Sequence, residues 1–234
     1  MLNELFSPET LSEAWRIIEA EFLTAIWETV YVTVLATAFS ILIGLPLGVL
    51  LVAGEKDGVL PLPGWVLKVL DVGINLLRSI PFLILMICVF PLSRLIVGTT
   101  VGTNATIVPL VCAAFPFIAR LVETCLREVD AGVIEAAQSM GATPMQIIVK
   151  VMLPESLPGL ISNLTTALTT ILGYSAMSGA IGGGGLGKIA ISYGYYRYQT
   201  EVMLVAVALL ILMVQAFQTA GTRLCIKCDK RLRK

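Results

Sequence analysis

The chain contains no histidine and little charge, with Asp, Glu, Lys and Arg making up 14% of its 234 residues. Without an imidazole there is no serine–histidine triad, no histidine general base and no histidine zinc site. Soluble domains carry about 25% charged residues, so this chain has too little polar surface to coat a water-soluble fold. Lys plus Arg and Asp plus Glu both number 16, leaving zero formal charge and no excess of the basic residues a nucleic-acid binder needs. Cysteine is scarce as well. Cys225 and Cys228 form a lone C-x-x-C with no second pair or histidine to complete a zinc site. Cys88, Cys112 and Cys125 fall within or beside apolar runs, which argues against a disulfide framework. What the sequence has is apolar residues, at 57% and a mean hydropathy of +0.89. The reading is a small polytopic membrane protein.

Charge-free runs cover Thr29 to Gly54, Ser79 to Ser93, Leu95 to Ala119, Ser156 to Gly187 and Val202 to Thr222. A helix crossing about 30 Å of hydrocarbon needs roughly 20 mostly apolar residues at about 1.5 Å per residue. The first, fourth and fifth runs suffice. Between the middle two, Gly98-Thr99-Thr100-Val101-Gly102-Thr103-Asn104 reads as a short loop. The second span then draws on part of Asp71 to Leu77, and the third runs from about Thr106 to Val122. Five spans are expected.

An odd number puts the termini on opposite sides of the membrane. With the N-terminus outside, Lys and Arg divide 12 cytoplasmic to 4 external, and six of the twelve follow the last span. The positive-inside rule therefore places the C-terminus in the cytoplasm, with residues 225–234 as a basic tail. Its charge suits orientation and anionic lipid. Residues 1–28 hold six Glu and one Arg, so no basic n-region of a cleavable signal peptide is present. Leu11, Trp15, Ile18 and Phe22 recur at helical spacing there, predicting an amphipathic external helix before a transmembrane domain at 29–224.

The longest internal loop lies at about 123–155. Val133 to Met140 is rich in helix formers and stops at Gly141. Thr143 suits the cap of a second helix and Pro144 its first position. Met145, Ile148, Val149 and Met152 give that helix an apolar stripe, and Pro154 and Pro158 are expected to end it and start the fourth span. Two short helices joined by a Gly-Ala-Thr bend either pack back on the bundle or enter a groove of a partner protein.

Glu135-Ala136-Ala137, Gly141 six positions after the glutamate, and Leu153-Pro154 beyond resemble the EAA loop of ABC importer permeases. A closer resemblance, covering the chain after about Trp27, is to methionine importer permeases. It rests on Arg78-Ser79-Ile80-Pro81-Phe82, Pro116-Phe117-Ile118-Ala119-Arg120, Met140 to Ile147, Leu153-Pro154-Glu155, Gly173-Tyr174-Ser175-Ala176-Met177, Gly182 to Gly187 and Tyr193-Gly194-Tyr195. The resemblance implies an all-α, polytopic membrane helical bundle of five transmembrane helices, similar to type I ABC importer permeases. It implies a subunit translocating methionine, in L and D forms, across the bacterial inner membrane. No cofactor is implied on this chain; ATP and Mg would act on a partner ATPase. The implied partners are a second permease copy, two cytoplasmic ATP-binding subunits, an external methionine-binding lipoprotein and membrane lipid, but no nucleic acid. Coupling to the ATPase would use Glu135 for docking or capping, Ala136 and Ala137 for close approach, and Gly141 and Ala142 for the bend.

The fourth span is the candidate path, being rich in small and hydroxyl residues, though helix contact alone accounts for many of them. Tyr174 and Met177 are bulky among small neighbours and three apart, hence on one face. A flexible, polarizable Met thioether can seal an apolar constriction or touch a thioether substrate, so Tyr174, Ser175 and Met177 are expected to line or gate the path. Arg120 and Glu123, three apart, are expected to pair structurally. Gly182 to Lys188 superficially spells a phosphate-binding loop, but Ile189 stands where a magnesium-holding Ser or Thr belongs. A glycine turn meeting an external binding protein fits better. Permeases for another small amino acid or anion, and a self-sufficient carrier, are the competing readings. Coupled carriers bury charges at mid-membrane, whereas Asp71, Arg78, Arg94 and Glu123 fall near span ends.

Overall fold

The computed structural model describes residues 8–228, with side chains from residue 15 onward. Residues 1–7 of the expected N-terminal segment, the side chain of Leu11 and residues 229–234 of the expected basic tail lie outside the described residues. Every regular element among the described residues is helical. The chain runs through α1 (Pro8–Ala53), α2 (Gly64–Ser79), α3 (Phe82–Val97), α4 (Thr103–Arg127), α5 (Ala131–Ser139), α6 (Pro144–Ile147), α7 (Leu153–Ser178), α8 (Gly185–Ile189) and α9 (Thr200–Cys228). A π turn at Ile148–Met152 joins α6 to α7, and a second at Ala190–Tyr195 follows α8.

Among the described residues, four helical runs are long and apolar enough to cross a membrane: Trp15–Ala53, Thr103–Arg127, Pro144–Ile181 and Thr200–Cys228. The fifth candidate is the pair α2 and α3, bent by 112° at its break. The bend has a local cause. Ile80 precedes a proline, whose ring disfavours helical backbone at the residue before it, and Ile80 is extended at φ −81°, ψ 125°. The expected second span is thus two helices meeting at Ile80–Pro81 rather than one continuous rod. Helix α1 passes from the acidic N-terminal segment into the first apolar run without interruption.

One sequence expectation is corrected outright. Pro154 and Pro158 do not end the second helix of the expected hairpin, because Pro144–Ile181 forms a single run. The π turn explains this. Leu153 N–H donates to Ile148 O, five residues back, so the bonding frame has shifted and the turn has widened just before Pro154. Pro154 then sits in the first turn of α7, where an absent N–H costs least. In a membrane, neighbouring groups and local π adjustments re-satisfy the carbonyls that proline frees, so prolines interrupt less than in water.

The chain divides into two compact units. The first comprises Met1–Thr37, Pro81–Val111 and Leu168–Phe217. Its core joins Phe22 and Ala25 of α1, Leu186 and Ile189 of α8, and Val202 and Ala206 of α9, with Ile18 packed against it. The second comprises Ala38–Ile80, Cys112–Ala167 and Gln218–Lys234, with a core of Leu51, Ile74 and Ala119. Lipid is as apolar as leucine, so close packing rather than escape from water holds such helices together. Gly44 and Gly48 of α1 show how. A Cβ on Gly44 would lie 2.7 Å from Phe115 O, and one on Gly48 2.6 Å from Ala119 O, so α1 and α4 touch backbone to backbone. The G-x-x-x-G spacing that permits this is plain in the sequence.

Candidate coupling hairpin and translocation path

In the second unit, α5 and α6 form a hairpin whose ends are all capped locally. Asp130 caps α5, its carboxylate accepting from Gly132 N–H at 2.7 Å. The other end closes on Gly141 at φ +77°, the left-handed conformation that glycine adopts without steric cost. Gly141 N–H donates to Gln138 O at 2.9 Å and Ala142 N–H to Ala137 O at 3.1 Å, the paired bonds of a Schellman stop. Thr143 then opens α6 with a capping box: its N–H donates to Gln146 Oε1 at 2.9 Å, and Gln146 N–H donates to Thr143 Oγ1 at 3.4 Å. Pro144 takes the first helical position. Gly141, Thr143 and Pro144 hold the places the sequence suggested. Asp130 and Gln146 complete the caps, and the D-x-G and T-x-x-Q spacings were the signals for them.

The hairpin is anchored at its base by Ile147 and Ile148, both buried, and presents an apolar surface beyond. Met140 is 87% exposed and Met145 64%, with Val133 and Val149 also exposed. Glu135, Ala136 and Gly141 are exposed; Ala137 and Ala142 are half-buried. Satisfied caps and exposed methionines together make a preformed, adaptable apolar surface.

A chain of charges stands where α4 leads into this hairpin. Arg120 donates to Glu123 Oε2 at 2.6 Å and also to Asp71 of α2. Arg127 donates to Glu123 Oε1 at 2.9 Å and reaches both carboxylate oxygens of Glu55, at 2.7 and 3.3 Å. Two guanidiniums and three carboxylates therefore tie the turn after α1, α2 and the C-terminal end of α4 together. The Arg120–Glu123 pair was legible from its spacing. Asp71 and Glu55 were not.

The three expected path residues lie on α7 in the first unit and face different surroundings. Tyr174 stacks on Phe82 at 4.6 Å between centroids and 6° between planes. Ser175 is buried and donates to Leu172 O at 2.8 Å. Met177 is 49% exposed. In the second unit, Thr165 and Thr166 donate to carbonyls four residues back on the same helix.

The glycine run packs within the first unit. Gly185 N–H donates to Glu28 Oε2 at 2.7 Å, Leu186 N–H to Thr29 Oγ1 at 2.9 Å, and Gly102 N–H to Gly182 O at 2.8 Å. A 3-10 turn at Gly179–Ile181, not a strand, precedes it, as a phosphate-binding loop would not have. Nearby, Tyr193 donates to Glu21 Oε1 at 2.5 Å while the Arg197 guanidinium sits 4.6 Å over its ring. The bond to Glu21 holds the Tyr193 hydroxyl above its ordinary pKa.

The profile of binding-protein-dependent transport system inner membrane components matches residues 40–233. The chain belongs to this family. The permease is 47% identical over 223 residues to a probable D-methionine transport system permease of Vibrio cholerae, covering 95% of this chain and 98% of that one. It is 48% identical to the D-methionine transport system permease of Escherichia coli K12 over 154 residues, 66% of this chain and 70% of that one. Among solved structures, an inward-facing methionine ABC transporter chain superposes with a TM-score of 0.86 at 45% identity, covering 89% of this chain and 96% of that chain. An amino acid ABC transporter chain at 20% identity and a TM-score of 0.72 shares the fold. The permease is therefore an all-α, multi-pass component of the inner membrane and a transport subunit rather than an enzyme.

Proposed function

We propose that this chain is the membrane-spanning subunit of an ATP-driven methionine importer, taking L- and D-methionine inward. The observation that carries the coupling is the Gly141 hairpin: fully capped, exposed, and tipped with Met140 and Met145. Such a rigid apolar-tipped element suits a cleft in a separate ATP-binding subunit, with Glu135, Ala136, Ala137, Gly141 and Ala142 as the contact surface. The choice of methionine follows from the named relatives and the extent of the match, which spans nearly the whole of both chains.

Two copies would enclose the path about a two-fold axis, each offering one hairpin to one ATPase subunit. ATP and magnesium act on those subunits, and this chain supplies the moving wall. Within that wall Tyr174, Ser175 and Met177 line or gate the route. The half-exposed Met177 thioether is the most available of the three to a thioether substrate. The N-terminus lies outside, where an external methionine-binding lipoprotein delivers substrate, and the C-terminus lies in the cytoplasm.

Uptake of labelled L- and D-methionine tests this reading directly. Cells lacking the chain lose uptake and regain it on complementation, but not when the partner ATPase carries a hydrolysis-dead site. Uptake that persists with the dead ATPase would assign the chain to a self-sufficient carrier instead.

A further inference from the structure

A cleft of about 490 Å³ in the first unit belongs neither to the hairpin nor to the proposed path. One wall is α1, where Tyr31 lies three residues from Glu28 and four from Trp27. The other wall carries Thr99 in the loop after α3, and Thr103 and Asn104 in the first turn of α4. Trp27 is 68% exposed and Tyr31 36%, large aromatic surfaces that the fold does not use as core. Glu28 gives one carboxylate oxygen to Gly185 N–H and makes no ion pair among the described residues. The charge-free run of α1 begins at the next residue, Thr29, so the cleft stands at the edge of the hydrocarbon, at headgroup depth.

We infer that this cleft seats the headgroup of a zwitterionic phospholipid bearing a primary ammonium. A carboxylate beside two aromatic side chains is a site for an ammonium: the carboxylate accepts its N–H bonds while the rings attract its charge. The Thr103 hydroxyl and the Asn104 amide in the same lining offer donors to a phosphate oxygen. A phosphoethanolamine headgroup carries both groups on a two-carbon spacer. A phosphoglycerol headgroup brings no cation to Glu28, only like charge. The depth of the cleft favours a lipid over a soluble ammonium compound, because the acyl chains then continue along the apolar face of α1.

Trp27 is its own reporter. The full chain, with Trp15→Phe and Trp65→Phe and co-expressed with its ATPase subunit, is placed in phosphatidylcholine nanodiscs containing brominated-acyl phosphatidylethanolamine or phosphatidylglycerol. Half-quenching of Trp27 occurs at about three- to tenfold lower mole fraction of the ethanolamine lipid, the range a partly desolvated cation–π and carboxylate contact supplies. Glu28→Gln keeps an acceptor for Gly185 but removes the charge, and abolishes the preference. Asn104→Ala leaves Glu28 intact and weakens it. Equal quenching by both lipids, or a preference that survives Glu28→Gln, overturns the inference. So does protection of Trp27 only by an added external binding protein, which would make the cleft a protein contact.

Discussion

The sharpest test of the coupling hairpin is Gly141→Ala, because its effect is confined to the backbone. A Cβ at Gly141 meets nothing within 4 Å, so no clash enters, and the residue is exposed, so no core is disturbed. What changes is the cost of holding φ at +77°. For a residue with a Cβ that conformation costs about 1–2 kcal/mol, a factor of roughly 5–30 in the population of the closed hairpin. The two Schellman bonds depend on it, and losing them frees the Gln138 and Ala137 carbonyls to water. A partner that recognises only the closed hairpin then binds with its apparent Kd raised by up to the same factor. Titrating the purified ATPase subunit onto the permease in nanodiscs reads this directly. Gly141→Asn is the control, since asparagine tolerates left-handed backbone, and it recovers most of the affinity. Tight binding by Gly141→Ala, or no difference between Ala and Asn, refutes the reasoning.

Four further outcomes follow from other contacts. Gly48→Ala places a methyl 2.6 Å from Ala119 O, a cost of about 1–3 kcal/mol in overpacking, and lowers the thermal midpoint, whereas Gly73→Ala, with nothing within 4 Å, does not. Arg120→Leu leaves the largely buried Glu123 with Arg127 alone and removes the ion pair to Asp71, and costs about 1.5–3 kcal/mol. Arg127→Leu, at the half-exposed end of the network, costs under about 1 kcal/mol, and a reversed order in thermal melting would show that burial does not set their worth. Met177→Ala alters uptake or leak in proteoliposomes while leaving complex assembly intact; unchanged transport removes Met177 from the path. Finally, Tyr193 ionises at higher pH than a free tyrosine because its neutral form donates to Glu21, so this bond contributes stability below the ordinary tyrosine range and loses it as pH rises through the raised value. Glu21→Gln returns that ionisation toward the ordinary range in ultraviolet difference titration, and an unmoved titration would exclude the carboxylate as its cause.

What was legible in the sequence divides by the distance over which the information is written. The hairpin caps are relations of two to five residues, D-x-G, T-x-x-Q and a glycine stop, and a local reading reaches them. Arg120 and Glu123 were found for the same reason. Arg120–Asp71 spans 49 residues, Arg127–Glu55 spans 72, and Glu28–Gly185 spans 157, and nothing local marks those partners. The glycine run illustrates the difference well. Its composition suggested a glycine turn meeting an external binding protein, and nothing local told that its amides are bonded to Glu28 and Thr29 on a helix far away in sequence.

The prolines went astray for another reason. Reading Pro154 and Pro158 as stops assumes that water competes for every carbonyl a proline frees, so that the helix loses nothing by ending there. In hydrocarbon a helix that ends must still satisfy its last carbonyls, and several kcal/mol ride on each group left bare. Continuing through a π turn costs less than stopping, and the run Pro144–Ile181 does so. At Ile80–Pro81 the balance tips the other way. Pro81 falls between two apolar segments with Ile80 extended before it, and the chain bends there by 112°. Arg78 sits at the last turn of α2 just before that bend, a charge kept at the end of a helix rather than carried into the middle of a span. A proline alone does not break a membrane helix, since Pro46, Pro91 and Pro158 all lie inside helices; at Pro81 the break goes with the extended backbone of Ile80.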